Sequence, residues 1–253
     1  MNEADLFQIL VYGWLGIAAV TFVSLQFLSA PYGRHGRAGW GPTMHRTAGW
    51  VIMEFPALLV PLVLGFAACG CHRPAAYVLL GLFTLHYANR TLIFPFRMRG
   101  GNIRMPVAIA AMGFSFNMVN GYMQGRFLFT LGPAKELAWL TDPRFIVGAI
   151  MFLSGFAINL QSDSILRNLR KPSETGYKIP TGGLFRWVSC PNYAGELLEW
   201  TGWAIATWSL PGLAFALWTG ANLIPRAVQH HRWYREKFAD YPGNRKAIIP
   251  FVY

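Results

Sequence analysis

Two stripes of polar side chains stand out in this 253-residue sequence. Residues three or four positions apart lie on one face of a helix, and both stripes have this spacing. The first consists of Asn159, Asp163, Arg167 and Arg170, and the second of Asn192, Glu196 and Glu199. A loop rich in glycine and proline, from Gly176 to Gly183, lies between them. The pattern predicts the walls and lid of a site for a large polar ligand.

One acidic residue, Glu54, interrupts an otherwise apolar stretch in the N-terminal half. A carboxylate in hydrocarbon is costly unless it is paired, protonated or used in chemistry. Glu54 is therefore either an interfacial acid paired with Arg46 or another basic residue, or a catalytic group. The residues alone leave both interpretations open.

The composition indicates an integral membrane protein. Hydrophobic residues make up 54% of the chain and charged residues only 13%, which is more apolar surface than one soluble core of this size needs. The acidic residues Glu3 and Asp5 stand where a cleaved signal peptide would be basic. Three cysteines, Cys69, Cys71 and Cys190, do not make a disulfide framework, and no spacing of Cys and His suits a metal site.

Seven apolar segments are predicted to cross the membrane as helices, since about 20 apolar residues span the hydrocarbon core. They cover approximately residues 7–28, 48–69, 75–94, 107–129, 145–160, 193–210 and 213–237. The third carries His86, Tyr87, Asn89 and Arg90 in its last turns. The fourth holds Asn117, Asn120 and Gln124 on one face, which we expect to point inward.

The basic residues predict the orientation. If the seven segments alternate in direction, most of the 22 Lys and Arg residues fall on one side. Cytoplasmic loops are enriched in these residues, so this side, with the C-terminus, is predicted to be cytoplasmic. The net charge of +11 then reflects membrane-flanking loops and contact with anionic lipid, and nucleic acid is not an expected partner.

The second half of the chain also carries a family resemblance. Its motifs are, in order, Asn159-x-x-x-Asp163, Leu166-Arg167-x-x-Arg170-Lys171, Tyr177-Lys178-Ile179-Pro180-x-Gly182-Gly183-Leu184-Phe185 and Pro191-Asn192-Tyr193-x-Gly195-Glu196-x-x-Glu199-Trp200. This series resembles the C-terminal domain of steroid 5α-reductases. The likeness continues through Ala206-Thr207-Trp208-Ser209-Leu210-Pro211 to the final Ile249-Pro250-Phe251 and is sparse in the N-terminal half.

The resemblance implies a function for Glu54 and Tyr87, which match the positions that hold the 3-oxo group of the steroid in this family. It also implies NADPH as the cofactor. The matching cofactor positions are Asn159, Asp163, Arg170, Tyr177, Asn192, Glu196, Arg226, His230 and Tyr234, with Arg34, Arg90 and Lys178 as additions. Trp50, Met53, Phe114, Phe116 and Asn117 are expected to line the substrate pocket. Mammalian members carry Gln where this chain has Met53.

A Glu/Tyr pair suits the chemistry. Hydride addition to C5 of a 3-oxo-4-ene builds negative charge on the 3-oxygen, and two positioned donors stabilise that enolate more than the ketone. Protonation of C4 completes the reduction; the proton comes from Tyr87, water or another group. Phosphates of NADPH suit arginine forks. No Gly-x-Gly-x-x-Gly occurs, which excludes a Rossmann fingerprint.

The sequence is also compatible with other functions. The segment Pro191-Asn192-Tyr193-x-Gly195-Glu196 also resembles a motif of membrane methyltransferases related to isoprenylcysteine carboxyl methyltransferase, which bind S-adenosylmethionine. A reductase of another lipid enone is a further possibility. A transporter would show inverted repeats or paired broken helices, and the sequence shows neither.

The expected architecture is all-α, with seven transmembrane helices and cofactor-binding loops on the cytoplasmic side. We expect one domain, 1–253, in which 1–130 forms most of the substrate pocket and 145–253 binds NADPH. The substrate should enter from the bilayer and the protein should be a monomer. The expected source is a bacterial homologue, in an inner membrane or an ER-type membrane.

Overall fold

The computed structural model of this chain describes residues 1–28, 39–68, 73–99, 103–170, 174 and 176–253. It is mostly helical. Its α-helices, in chain order, are α1 Glu3–Phe27, α2 Arg46–Ala67, α3 Pro74–Ala88, α4 Phe94–Arg97, α5 Val107–Arg126, α6 Pro143–Asn168, α7 Pro191–Thr207 and α8 Leu210–Lys237. Arg34, Lys171, Cys69 and Cys71 lie outside the described residues, and Cys190 is a buried free thiol.

Short irregular helices connect several of these elements. Wide, π-helical turns follow α3 at Asn89–Ile93 and α5 at Phe127–Leu131. Tight 3-10 turns lie at Leu137–Thr141 and Gly183–Arg186, before α6 and α7 respectively. The sequence pattern predicts none of these turns.

A small antiparallel sheet corrects the all-α expectation. Strand β1, Thr43–His45, pairs with strand β2, Arg104–Pro106, and Met44 lies opposite Met105. Each strand runs directly into a long helix, β1 into α2 and β2 into α5. Gly113 of α5 lies against Met53 of α2 and Gly125 lies against Leu64, so the two helices lie side by side and run in the same direction.

Three of the helices are long and apolar enough to cross a membrane, among the residues that the structure describes: α1, α2 and α6. Helices also occupy the other four predicted spans. However, α3 and α7 have only 15 and 17 residues, and α5 and α8 carry more polar side chains. The count of seven crossings therefore remains a prediction.

An aromatic core joins the two halves of the chain. The Phe83 ring of α3 lies 5.7 Å from the Trp200 ring and 5.1 Å from the Trp203 ring, both on α7. Trp200 in turn packs against Phe215 of α8 at 4.3 Å and against Phe152 of α6 at 5.8 Å. These rings are almost completely buried. Packing of this kind holds the N-terminal helices against the C-terminal ones.

Helices α6 and α7 approach each other through glycines spaced seven residues apart. Gly148 and Gly155 lie on α6, and Gly195 and Gly202 lie on α7. A methyl group on Gly155 would be 2.5 Å from the Gly195 carbonyl oxygen, and one on Gly202 would be 2.5 Å from the Phe152 backbone nitrogen. Small residues at a helix interface let two backbones come this close.

The first helix contacts the last. The indole nitrogen of Trp218 in α8 donates to the carbonyl oxygen of Trp14 in α1 at 2.9 Å, and the amide of Gln229 donates to the carbonyl of Leu25 at 2.8 Å. Both contacts join residues 204 positions apart. The N-terminal helix is thus bound along the helix that completes the bundle.

Candidate active site

Arg90 lies at the centre of a buried polar cluster. It sits in the π-helical turn that follows α3, a local widening often found at functional sites. Its guanidinium is 3.7 Å from the carboxylate of Asp163 on α6 and 4.0 Å from that of Glu196 on α7. It also lies over the rings of Trp50 and Phe94, at 4.9 and 4.6 Å from their centroids. Arg90 therefore connects the N-terminal helices to both predicted polar stripes.

The two polar stripes face each other across α6 and α7. The Asn159 amide donates to the Asn192 carbonyl oxygen at 3.1 Å and to the Glu196 carboxylate at 3.0 Å. The Asn192 amide donates to Asp163 at 3.3 Å. The close contact of α6 and α7 at their glycines brings these side chains within hydrogen-bond distance of one another. Arg170 departs from the prediction, since α6 ends at Asn168 and Arg170 lies just beyond it.

Glu54 lies in the interior, 8% exposed, and accepts a hydrogen bond from the Asn117 amide at 3.2 Å. The same amide donates to the Met53 carbonyl at 2.7 Å, which fixes α5 against α2. Among the described residues Glu54 forms no ion pair with Arg46, whose guanidinium donates to the Arg99 carbonyl instead. The interfacial pairing considered from the sequence is therefore not the one formed.

Tyr87 is 4% exposed and lies in the last turn of α3, three residues before Arg90. Its ring packs against Phe83 at 4.7 Å and Trp200 at 5.8 Å. These rings fix the direction of the phenol. The two residues that the resemblance assigns to one substrate oxygen, Glu54 and Tyr87, are thus both buried in the helix bundle.

His86 and Glu199 form a buried contact that the sequence analysis did not predict. Nδ1 of His86 lies 2.8 Å from Oε1 of Glu199, and the two residues are 3% and 0% exposed. The other carboxyl oxygen, Oε2, has no hydrogen-bond partner among the described residues. The sequence shows an acid and an imidazole in two apolar segments. Because 113 residues separate them, the sequence alone does not indicate that they pair.

The remaining predicted cofactor residues lie around the second stripe and the loop before it. Arg170 donates to the Gly176 carbonyl at 2.8 Å and lies over the Tyr177 ring. Arg226 lies over the Tyr193 ring, and His230 is 3.3 Å from the Tyr193 hydroxyl. Lys178 pairs with Glu174, and Tyr234 stacks on Tyr241 at 5.3 Å. Lys178 and Tyr234 thus contact groups outside the two stripes.

The predicted substrate residues are divided between two environments. Trp50 faces Phe94 and Arg90, and Phe116, which is half-buried, packs against Trp14 at 5.2 Å. Met53 lies against Gly113 of α5. Phe114 is 40% exposed and does not join these enclosed side chains.

Two clefts border α6 on the side of the polar cluster. The first has a volume of about 280 Å³ and is lined by Asn89, Phe94, Arg97, Leu160, Gln161, Asp163, Ser164 and Arg167. The second has a volume of about 480 Å³ and is lined by Gln161, Gly182, Gly183, Leu184, Arg186 and Trp187. Gln161 borders both, so the two clefts adjoin along one face of α6. No cluster of metal-binding side chains occurs within the described ranges.

Comparison with known proteins identifies the family. A family model described as 3-oxo-5-alpha-steroid 4-dehydrogenase matches residues 103–253. The chain is 44% identical to 3-oxo-5-alpha-steroid 4-dehydrogenase 1 of Bos taurus, an alignment that covers 100% of this chain and 99% of that protein. It belongs to the steroid 5α-reductase family. It is therefore an oxidoreductase of the kind that acts on CH–CH groups, generally with a nicotinamide cofactor.

Other members of the steroid 5α-reductase family extend this result. The chain is 45% identical to steroid 5-alpha-reductase DET2 of Gossypium hirsutum, over 94% of this chain and 93% of the relative. It is 46% identical to 3-oxo-5-alpha-steroid 4-dehydrogenase 1 of Rattus norvegicus, over 100% and 97%. These matches favour the reductase over the methyltransferase and transporter readings. Because these relatives are animal and plant proteins, they do not support the expectation of a bacterial source.

Proposed function

We propose that this protein reduces the 4,5 double bond of 3-oxo-4-ene steroids with NADPH and yields 5α-reduced 3-oxo steroids. The observation that carries the proposal is the position of Glu54 and Tyr87. Both are buried, and Tyr87 lies three residues before Arg90, which contacts Asp163 and Glu196 in the predicted cofactor half. Two groups able to donate to a substrate oxygen are thus held next to groups suited to a polar cofactor.

The chemistry of Glu54 and Tyr87 follows from their surroundings. When bound, NADPH supplies the hydride that C5 receives. The Tyr87 hydroxyl and a protonated Glu54 donate to the 3-oxygen and stabilise the negative charge that develops there. Asn117 holds the Glu54 carboxyl in place, and the packed rings of Phe83 and Trp200 orient Tyr87. Such fixed donors are more effective in a dry site than in water.

The side chains around the two stripes fit NADPH. Arg170 and Arg226 offer guanidinium groups for phosphates, which they can bind through paired hydrogen bonds. Asn159 has a buried side-chain oxygen without a partner among the described residues, and it is suited to accept from an amide such as the carboxamide of nicotinamide. Asp163 and Glu196 can accept from hydroxyl or amide groups. NADPH differs from NADH by its 2′-phosphate, and additional arginines favour binding of that phosphate.

We further propose that the protein is a multi-pass membrane protein with seven crossings and a cytoplasmic C-terminus, in an ER-type or bacterial inner membrane. The basic residues near the starts of α2, α5 and α7 support this orientation. The steroid would enter from the lipid. One chain supplies both polar stripes as well as Glu54 and Tyr87, so a monomer is sufficient. The division into a substrate part, 1–130, and a cofactor part, 145–253, is proposed on the same basis.

The test is turnover by the purified protein in detergent, with a series of 3-oxo-4-ene steroids and either NADPH or NADH. We expect reduction with NADPH and a clear preference over NADH. Tyr87→Phe and Glu54→Ala should each lower turnover by about a hundred- to a thousandfold, because each removes one donor to the oxyanion. The double variant should lose less than the product, since both donors serve one oxygen.

Tyr12→Phe is the matched control, because Tyr12 is 61% exposed on α1 and far in sequence from the cluster. NADPH binding by each variant should remain close to wild type. If Glu54→Ala lowers only the melting temperature and leaves turnover per folded molecule unchanged, Glu54 is structural and the proposal for it is wrong.

A further inference from the structure

The His86–Glu199 pair lies outside the residues that the proposed mechanism uses. Glu199 is completely buried in α7, and one of its two carboxyl oxygens contacts His86 at 2.8 Å. The other oxygen has no partner among the residues that the structure describes. Buried carboxyl groups are normally hydrogen-bonded at both oxygens, so this half-satisfied group calls for an explanation.

A shared proton explains the arrangement. An ionised carboxylate with one contact would be costly in this apolar interior, whereas a carboxyl group that shares a proton with an imidazole is much less so. The charged side chains in the surroundings of the pair are Glu54, Glu196 and Arg90, and Arg90 lies 4.0 Å from the Glu196 carboxylate. His86 and Glu199 can therefore store one proton away from bulk water.

The pair is placed beside the reacting groups. The His86 ring lies edge-on to the Tyr87 ring, with centroids 5.0 Å apart and planes at 73°. On another side it meets Trp200 at 4.6 Å. Tyr87 is one of the two proposed donors to the 3-oxygen, so the pair lies one ring away from the proposed position of that oxygen.

We propose that the His86–Glu199 pair supplies the proton that C4 of the substrate receives. This inference rests on the proposed function. Hydride addition forms the C5–H bond, and the electron pair of the 4,5 double bond moves through C4 and C3 to the 3-oxygen. The enolate electrons then return, the C3 carbonyl is restored, and C4 takes the proton of the His86 Nε2–H bond, which breaks. Nδ1 takes the Glu199 proton, and water restores it after the product leaves.

This assignment separates two tasks that one residue cannot perform at once. A Tyr87 hydroxyl that donates to the 3-oxygen is not free to give its proton to C4 in the same geometry. His86 is adjacent in the chain but directed to a different partner, Glu199. Tyr87 stabilises the enolate, and the His86–Glu199 pair then protonates it at C4.

The experiment uses Glu199→Gln, which keeps the shape of the side chain and removes the acidic proton. Turnover should fall roughly a hundredfold or more, as for the loss of a general acid. Proton delivery should then limit the rate. The isotope effect from NADPH deuterated at the transferred position should disappear, and the solvent isotope effect in D₂O should increase. The dissociation constant for NADPH should change less than threefold.

Thr207→Val is the matched control, because Thr207 is a buried polar residue of the same helix whose hydrogen-bond partners, in the part of the chain that the structure describes, are Trp203, Ala204 and Ser209. It should leave both isotope effects unchanged. If Glu199→Gln lowers turnover while the cofactor isotope effect persists, the pair has a structural role and the inference is wrong. Unchanged turnover would overturn it as well.

His86→Gln provides a second variant if Glu199→Gln does not fold, with the same two isotope effects as the readout. The wild-type protein offers a further check, since the 5α-reduced ketone with oxidised cofactor in D₂O should exchange one of its two C4 hydrogens. No exchange would contradict the inference. A wild-type protein that reduces none of the enones would refute the proposed function instead, so the two failures are distinguishable.

Discussion

The helix pairs α2/α5 and α6/α7 both have glycines at their interface, but these glycines contact different parts of the partner helix. Each pair brings a buried glutamate to its interior, Glu54 in the first and Glu199 in the second. In α2/α5, a methyl group on Gly113 would meet the flexible Met53 side chain, and one on Gly125 would meet Leu64 Cδ1 at 2.8 Å. One on Gly121 would be no closer than 3.2 Å to the Pro56 carbonyl oxygen. In α6/α7 the nearest atoms belong to the backbone of the partner helix.

This difference suggests that the two halves of the site respond differently to change. A side chain such as Met can take another rotamer, so the α2/α5 contact can adjust to a bulkier neighbour. Two backbones cannot, so α6 and α7 keep one spacing. We expect the substrate side of the site to be adaptable and the cofactor side to be rigid.

The largest effect is expected for Gly155→Ala. The new methyl group would lie 2.5 Å from the Gly195 carbonyl oxygen, and only a separation of the helices can relieve this. Overpacking typically costs about 1 to 3 kcal/mol, and we expect the upper part of that range. Thermal unfolding in detergent measures it, with Gly81→Ala as the control because open space surrounds Gly81. NADPH binding should weaken in parallel. An unchanged melting temperature would contradict the inference that α6 and α7 keep one fixed spacing.

A smaller effect is expected for Asn117→Leu on the other pair. The change removes the hydrogen bonds to Glu54 and to the Met53 carbonyl and leaves buried acceptors unpartnered. Such groups cost about 1 to 3 kcal/mol, and adjustment of Met53 should hold the loss near the lower end. Turnover should fall more than NADPH affinity, which steady-state kinetics and a binding titration can separate. Equal losses in both would mean that the two pairs do not act separately.

Gly113→Ala should be nearly neutral for stability. Because the methyl group would meet Cγ and Sδ of the Met53 side chain, rotation of that side chain can accommodate it, and we expect a loss below about 1 kcal/mol. The relative rates with different enones should shift, since Met53 is a predicted substrate residue. A loss as large as that of Gly155→Ala would show that α2/α5 is as rigid as α6/α7.

The smallest effect concerns Lys135, which lies outside both pairs in the connection between α5 and α6. Burial lowers the pKa of its ammonium to about 8, with a further contribution from Arg144, while Asp142 acts in the opposite direction. Between pH 8 and the unfolded value near 10.5 the folded protein releases this proton first, so stability should rise with pH. Below pH 8 this group should contribute no slope.

Melting temperatures from pH 7.5 to 10 test this, with Lys135→Met as the comparison. The variant should lack the part of the rise that Lys135 provides, and both helix pairs should be unaffected. Identical pH slopes in the two proteins would show that the Lys135 ammonium is not held as the structure indicates.

Much of the helical framework could be predicted from the sequence, because a segment that crosses hydrocarbon must be long and apolar. The prediction for the last span, 213–237, agrees well with α8. It was also predictable that each polar stripe forms one face of a helix, since i, i+4 spacing puts Asn159 and Asp163 on one side of any helix. The cofactor and substrate roles of these residues remain predictions.

The rest depended on contacts between distant parts of the chain. The pairing of His86 with Glu199 needs α3 and α7 in register, which no local pattern contains. The two short strands were missed because three residues give too little alternation to recognise. The π-helical turn around Arg90 adds no distinctive residue to its segment, so the position of that guanidinium could not be derived from helical spacing.

The contact between α1 and α8 has a consequence for how the protein is made. Trp14 and Leu25 meet partners 204 residues later in the chain, whereas α6, α7 and α8 follow one another and can pack soon after each emerges. Ribosomes add about 5 to 20 residues per second, so the first helix waits on the order of ten to forty seconds for its partner. During that interval its interior face is exposed to lipid or to a chaperone of the insertion machinery. A chain truncated before α8 should therefore leave α1 unbound and vulnerable to degradation.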